Sequence, residues 1–149
     1  GAAASAALAA DKQKTRESDD PAKRTGLKKG STRPAGWFGI EYCGLICMCV
    51  KQGKEKYTYT GPRTDNNTGA CNPDLAPCSK PWSKVGEHHS HPDGSNPSPN
   101  DHLHVPQGMT GYVGSASGIG PDMEYEHPHQ PPGTNQPLVY PKRPLTPLP

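Results

Sequence analysis

Hydrophobic residues are unevenly distributed along this chain, and the strongest apolar pattern lies between residues 37 and 50. This run is rich in strand-forming residues and ends at residues 51–54 (KQGK), which have the composition of a tight turn. The alternating segment 57–60 (YTYT) follows, so the pair predicts a β-hairpin. Glu41 lies inside the apolar run, where a carboxylate needs a partner or a function.

Shorter patterns after the hairpin predict three more strands, at residues 85–91, 109–117 and 123–126. Ser98 followed by Pro99 is typical of a helix N-cap with proline in the first turn. The connection at residues 61–82 is long and rich in Pro, Asn, Asp and Gly, and loops of this length are usually functional or disordered.

Composition predicts three regions. Residues 1–35 are Ala-rich and then charged, without hydrophobic periodicity, and are predicted to be a linker or arm. Residues 36–126 form the predicted domain. Residues 127–149 contain eight prolines, which favour an extended tail and exclude a central strand. The Ala-rich start lacks an initiator Met and a basic leader, which favours a piece of a longer protein.

Charge narrows the classes of partner. The net charge is +2, which is too small to predict binding to nucleic acid through overall electrostatic attraction. The positive charge is unevenly distributed, because eight of the 16 Lys and Arg residues lie between residues 11 and 33. A solvated linker is the more frequent explanation of such a run. No apolar segment approaches the roughly 18 residues that span a bilayer, so we predict no membrane span.

Five cysteines occur, and the odd number leaves at least one outside any internal disulfide. Cys43, Cys47 and Cys49 have poor zinc-site spacing and are predicted to be small buried apolar residues. Cys71 and Cys78 close a Pro-rich loop, where a disulfide between them is compatible with the spacing. The cysteines leave the cellular compartment open.

Five of the seven histidines fall within residues 87–104. His89 and His91 are two apart, so they point to the same face of a strand and can reach one ion. The turn at residues 92–97 can bring Asp101 to a third corner. Two imidazoles and one carboxylate leave a fourth position open, as in catalytic zinc sites. An exposed His-rich loop that binds metal adventitiously is the alternative.

Two further residues fit hydrolytic chemistry around such an ion. Glu41 is the best candidate for the carboxylate that moves the proton of water to a leaving amine. Ser98 is the candidate hydrogen-bond donor to the developing oxyanion. The other histidines are predicted to lie outside the ligand set: His88, His102, His104 and the solvent-exposed pair His127 and His129.

Three motifs now show a resemblance to a known family. Residues 41–46 (EYCGLI) resemble the E-x-C-G-L-L strand of the JAMM (MPN-plus) metalloproteases. Residues 89–92 (HSHP) with Ser98-x-x-Asp101 resemble the H-S/T-H-P…S-x-x-D signature of that family. Residues 111–118 are similar to the strand and turn that follow in bacterial members. The likeness covers about residues 37–126, but six residues rather than the usual seven separate the second His from the Ser.

The resemblance implies an α+β fold, with a small central mixed β-sheet, few flanking helices and cytidine-deaminase-like layering. It implies Zn²⁺ held by His89, His91 and Asp101, with Glu41 as general acid/base and Ser98 as oxyanion donor. The implied reaction is hydrolysis of a peptide or isopeptide bond in a protein substrate. Cys43 would be a packing residue of the motif.

Residues 54–62 (KEKYTYTGP) before HSHPDG are similar to JAB-type domains at the C-termini of bacterial Rhs and related polymorphic toxins. This implies a secreted effector delivered into a target cell as part of a larger bacterial protein, with a cognate immunity protein as a further partner. A cytoplasmic location is the alternative.

Two other functions compete with the enzyme. The first is a catalytically silent MPN-like binding module, which has no need of Glu41. The second is a disordered Pro-rich adaptor, which the predicted strands and the histidine cluster oppose.

Overall fold

The computed structural model describes residues 1–18, 39–67, 69–133 and 135–145. Within these ranges the fold is α+β, with a six-stranded mixed sheet and two α-helices. The elements in chain order are α1 (Ala2–Ser18), β1 (Cys43–Lys51), β2 (Lys54–Tyr59), a 3-10 helix (Pro73–Leu75), β3 (Ser83–His91), α2 (Pro99–His104), β4 (Thr110–Ser115), β5 (Met123–Glu126) and β6 (Lys142–Pro144).

The predicted hairpin is confirmed. Strands β1 and β2 pair antiparallel from Ile46 with Tyr59 to Lys51 with Lys54. Gln52 and Gly53 between them both have positive φ, 52° and 73°. Two such residues form a turn whose twist matches that of the flanking strands, and glycine adopts this conformation at little cost.

The sheet order is β2-β1-β3-β4-β5-β6. All neighbouring pairs are antiparallel except β3 and β4, which run parallel with His89 opposite Val113. Parallel neighbours need a crossover, and α2 lies in this connection. The chain therefore leaves the end of β3, forms α2 above it and returns to start β4.

Helix α1 packs on one face of the sheet, called here the back face. Its buried residues have helical spacing: Ala4, Ala7, Leu8, Asp11 and Thr15. The alanines contact Ile46 and, around it, the partly buried Tyr59, Val85 and Tyr112. This segment shows no hydrophobic periodicity in the sequence because the buried stripe is mostly small or polar. Of the arm expected at residues 1–35, the first half thus forms a helix of the fold, and residues 19–35 lie outside the described residues.

The opposite face of the sheet, called the front face, has a second small core. Val105, Val113 and Tyr125 are buried there against Met109 and Met123. Val105 directly follows α2, so the crossover supplies the cover for this face. The core fills only part of the face, which leaves space for a cleft beside the end of β3.

The Pro-rich tail contributes a single short strand to the described part of the fold. Strand β6 pairs with β5 at the edge of the sheet, where proline is tolerated because one side needs no partner. This agrees with the prediction that the tail forms no central strand. In the described residues no helix is long and apolar enough to cross a membrane.

The cysteine predictions were partly wrong. Cys71 and Cys78 do not pair with each other; Cys43 is bonded to Cys71 and Cys47 to Cys78. Cys43 and Cys47 both lie on β1, so two bridges fasten the loop that follows β2 to this strand. Cys49 is buried with a free thiol, as expected for a packing cysteine. Cys43 and Cys47 are therefore crosslinks and not simple packing residues.

Candidate metal centre

Three predicted ligands converge at the end of β3. Nε2 of His89 lies 3.1 Å from Nε2 of His91, and both nitrogens lie 3.3 Å from Oδ2 of Asp101. The two imidazoles meet because residues two apart in a strand share a face. Asp101 reaches them from α2, across the turn that ends β3.

The second nitrogen of each imidazole is held by a neighbouring group. Nδ1 of His91 is 2.9 Å from the carbonyl oxygen of Gly94, and Nδ1 of His89 is 3.2 Å from the hydroxyl of Tyr125. A carbonyl accepts only, so Nδ1 of His91 carries a proton and Nε2 is the atom that faces His89 and Asp101. Metal-binding histidines are typically oriented by such outer partners.

Asp101 is fixed by a capping box at the start of α2. Its backbone N–H donates to the hydroxyl of Ser98 at 3.1 Å, and its carboxylate accepts the N–H of Ser98 at 2.8 Å. The loop that is one residue shorter than usual therefore still brings Asp101 to the histidines. Burial alone would raise the pKa of Asp101, but hydrogen bonds from His89 and His91 outweigh it and hold the pKa well below its ordinary value.

The donor atoms fit a zinc ion in size and chemistry. Zinc–ligand bonds of about 2.0–2.1 Å in a tetrahedron place neighbouring donors about 3.3–3.4 Å apart. The three distances measured here are 3.1, 3.3 and 3.3 Å. When both imidazoles are neutral and turn their Nε2 lone pairs toward this space, the lone pairs repel each other, so the space holds either protons that bond to Asp101 or a cation. Nitrogen and carboxylate donors are the types that zinc accepts.

Glu41 lies beside this group, directly before β1. Its carboxylate oxygen lies within 4.8 Å of the ligand nitrogens of His89 and His91. It could therefore complete the donor set, but the shorter distances favour Asp101. Burial is the main reason that the pKa of Glu41 is raised, and Asp101 adds to the shift while the two histidines oppose it.

The backbone of Glu41 is held by the loop that the disulfides fasten. Its N–H donates to the carbonyl oxygen of Asn67 at 2.8 Å, and its carbonyl oxygen accepts the hydroxyl of Thr64 at 2.8 Å. Cys43, two residues on, exchanges a pair of backbone hydrogen bonds with Arg63 and is bonded to Cys71. The loop at residues 61–82 is therefore ordered around the candidate base wherever the structure describes it.

A cleft of about 230 Å³ opens in front of these groups. It is lined by Glu41, His89 and Asp101 of the candidate metal centre and by Glu87, His104 and Tyr125. The disulfide-fastened loop supplies another wall through Gly69, Ala70, Cys71 and Pro73. Ser98 also lines the cleft, so all five predicted site residues except His91 border this space.

The remaining histidines lie outside the three-ligand group. His88 is buried on the back face, where Nδ1 is 2.5 Å from Asp11 and Nε2 is 2.8 Å from the carbonyl of Thr60. His102 is buried with Nδ1 2.7 Å from the carbonyl of Glu126. His129 is exposed, whereas His127 was wrongly expected to be: it is half-buried.

His104 belongs to a separate charged group with Asp74 and Glu87. The ammonium of Lys84 lies 2.6 Å from the Asp74 carboxylate and 3.0 Å from that of Glu87. Burial lowers the pKa of Lys84, but the hydrogen bonds to the two carboxylates outweigh it and raise the pKa. Because a lysine already supplies the positive charge, we assign no metal ion to this group.

Sequence reasoning missed the groups that hold the ligands in place. Tyr125 and the carbonyl of Gly94 are distant or featureless in the sequence, so nothing there marks them. The placement of His88 and Ser90 could have been predicted, because alternation along a strand puts them on the face opposite His89. Their partners on α1 had no signal, since the helix itself was not predicted.

Comparison with protein-family models, with curated proteins and with solved structures gave no match for this chain.

Proposed function

We propose that this chain is a zinc-dependent metallopeptidase or isopeptidase of the JAMM (MPN-plus) type. The observation that carries the proposal is the triangle of donor atoms on His89, His91 and Asp101, with Glu41 beside it in the same cleft. The motif resemblance assigns the same roles to the same residues, independently of these distances.

A bound zinc ion would lower the pKa of water and polarise the scissile carbonyl. Glu41 then accepts a proton from the attacking water while the water oxygen bonds to the carbonyl carbon. The same carboxyl group returns that proton to the amide nitrogen as the carbon–nitrogen bond breaks. Burial raises the pKa of Glu41 above its ordinary value, which makes the carboxylate a stronger base for the proton that it accepts and later returns.

Ser98 is placed to stabilise charge on the carbonyl oxygen. Its hydroxyl oxygen accepts the Asp101 N–H, and its hydroxyl hydrogen has no acceptor among the described residues. That hydrogen can therefore donate to the oxyanion as the tetrahedral intermediate forms. Ser98 thus combines two tasks, since it also holds the ligand Asp101 in place.

The disulfides bear on where such an enzyme would work. Disulfides persist in oxidising compartments and are rare in the cytosol. The two bridges at Cys43–Cys71 and Cys47–Cys78 support a secreted protein. Together with the toxin-like motifs, they favour an effector that cleaves a protein of a target cell and is paired with an immunity protein in the producer.

The test combines metal analysis with a search for cleavage. The purified chain and Glu41→Gln are loaded with zinc, and bound metal is measured by mass spectrometry. Both are then incubated with a proteome-derived peptide mixture and with isopeptide-linked peptides. We expect about one zinc per chain in both proteins, with Glu41→Gln cleaving about 10²- to 10⁴-fold more slowly.

Each other outcome would contradict the proposal. A wild-type chain that cannot be loaded with zinc excludes the metal centre. A chain that holds zinc but cleaves no peptide or isopeptide is better described as a binding module. Cleavage that is equal in Glu41→Gln excludes Glu41 as the proton carrier.

A further inference from the structure

We propose that Thr15 of helix α1 is a positioning residue, which sets the place of Glu41 relative to the metal ligands. This inference depends on the proposed function for its catalytic consequence. Thr15 is fully buried on the back face and lies outside the cleft. It reaches the site only through two other groups, Ser90 and the backbone of residues 40–42.

The hydroxyl of Thr15 connects the two segments that carry the chemistry. It lies 2.5 Å from the hydroxyl of Ser90, which stands between the ligands His89 and His91. It also donates to the carbonyl oxygen of Ile40 at 2.8 Å, directly before Glu41. One buried hydroxyl therefore touches both the ligand strand and the segment of the base.

These hydrogen bonds run in one direction, and the backbone of residues 40–42 closes them into a ring. The N–H of Tyr42 donates to the Ser90 hydroxyl at 3.1 Å, Ser90 donates to Thr15, and Thr15 donates to the Ile40 carbonyl. Each hydroxyl thus gives its one hydrogen and accepts another. Ile40 and Tyr42, the two neighbours of Glu41, are both held in this ring.

The helix approaches this segment too closely for an ordinary side chain. A Cβ atom on Gly39 would lie 2.7 Å from the backbone oxygen of Thr15, so only glycine fits there without a shift. Ser18, one turn further, accepts the N–H of Ile40 at 2.9 Å. The end of α1 therefore holds residues 39 and 40 directly, and Tyr42 through Ser90.

The backbone N–H and carbonyl oxygen of Glu41 are held separately, by the loop residues Asn67 and Thr64. Loss of the Thr15 hydroxyl should therefore loosen Glu41 without releasing it. Because Thr15 does not touch substrate, the expected result is a lower kcat with little change in KM. Outer partners of metal sites typically contribute about 10- to 100-fold, and we expect an effect toward the lower end.

The experiment compares three variants of the zinc-loaded chain. Thr15→Val keeps the shape and removes the hydroxyl, whereas Thr15→Ser keeps the hydroxyl. Leu8→Ala is the matched control, because Leu8 is buried on the same helix and its side chain makes no hydrogen bonds. Measurements are kcat and KM for one cleaved peptide, the melting temperature, and amide hydrogen exchange at Tyr42 by NMR.

We expect kcat to fall about tenfold in Thr15→Val and to recover in Thr15→Ser, with faster Tyr42 exchange only in Thr15→Val. Leu8→Ala should lose thermal stability but retain kcat and Tyr42 protection when fully folded. An unchanged kcat in folded Thr15→Val, or an equal loss in folded Leu8→Ala, overturns the assignment. If wild type cleaves nothing, the proposed function fails, and unchanged Tyr42 exchange in Thr15→Val separately overturns the ring.

Discussion

Strand β3 presents His89 and His91 to the front face, where His89 lines the cleft, and presents His88 and Ser90 to helix α1, so four consecutive residues serve two surfaces. On the front face the two imidazoles direct Nε2 toward each other and toward Asp101. On the back face both ring nitrogens of His88 are already in hydrogen bonds.

The hydrogen-bond partners of the two ring nitrogens distinguish the roles of these histidines better than residue type or burial does. His88 has no lone pair available for an ion, because Asp11 and the carbonyl of Thr60 take both nitrogens. In His89 and His91, Nδ1 has the hydrogen-bond partner that orients the ring, and Nε2 faces the other candidate ligands. The same side chain is a crosslink on one face and a candidate ligand on the other.

The largest effect should follow from removing the front-face pair. We expect His89→Ala with His91→Ala to reduce bound zinc from about one per chain to almost none, because a single carboxylate remains. Hydrolysis should disappear with the metal. Mass spectrometry of the metal content and an assay of peptide cleavage would check both parts, and urea unfolding in the presence of a chelator would show that the variant still folds.

The back-face variant His88→Ala serves as the control for this change. It should retain zinc in the folded protein while unfolding more easily. Loss of zinc from fully folded His88→Ala would show that the two faces do not act separately.

Breaking the back-face pair should have the next largest effect, on stability. Asp11 and His88 are both fully buried, and Oδ1 of Asp11 has no hydrogen-bond partner among the described residues. Removal of one partner leaves the other buried without compensation, so Asp11→Ala should lower the free energy of unfolding by about 3–5 kcal/mol. Asp11→Asn should lose less, because its amide oxygen can still face His88.

Urea unfolding in chelator measures these differences without a contribution from bound metal. Asp11→Ala with unchanged stability would mean that α1 is held mainly by its alanine contacts. The ion pair of Lys12 with Asp122, at 2.8 Å, would then be the next contact to remove.

The smallest predicted effect concerns pH. Burial raises the pKa of Glu41, and a protonated carboxyl group cannot accept a proton from water. The value of kcat/KM should therefore fall as the pH decreases through a pKa above the ordinary glutamate value. A pH–rate profile measured with zinc content at each pH would check this, because acid also releases metal from histidine.

Asp11→Asn, on the opposite face, should leave the acid limb of this profile in place. A limb that moves in this variant would assign the titration to the buried pair and not to Glu41. The comparison therefore distinguishes which face controls the reaction.

The sequence was sufficient for the elements whose polarity alternates. Strands β2 to β5 and the cap at Ser98 were predicted to within about three residues of the observed bounds, because apolar alternation and turn residues mark them. The first strand was expected over residues 37–50 with Glu41 inside it, but β1 begins at Cys43, after Glu41. The meeting of His89, His91 and Asp101 could be predicted because their spacing is local: the two histidines share a face, and the capping box holds Asp101.

The remaining features depend on contacts between distant segments. The buried stripe of α1 includes Ala4, Ala7, Asp11 and Thr15, which carry little or no hydrophobic signal. The disulfide partners could not be chosen from spacing, since Cys43 reaches Cys71 only after the loop folds back on β1. Small and polar buried residues are recognised only when their partners are known.

The separation of the ligands from the base along the chain has a consequence for the newly made protein. His89, His91 and Asp101 lie on one short segment, whereas Glu41 must be brought in from another strand and fixed there by α1 and by the Cys43–Cys71 bridge. Local contacts form before distant ones during folding. In the proposed function, an immature chain would therefore bind zinc before it can hydrolyse a peptide bond, and activity would begin only once Glu41 is fixed in place.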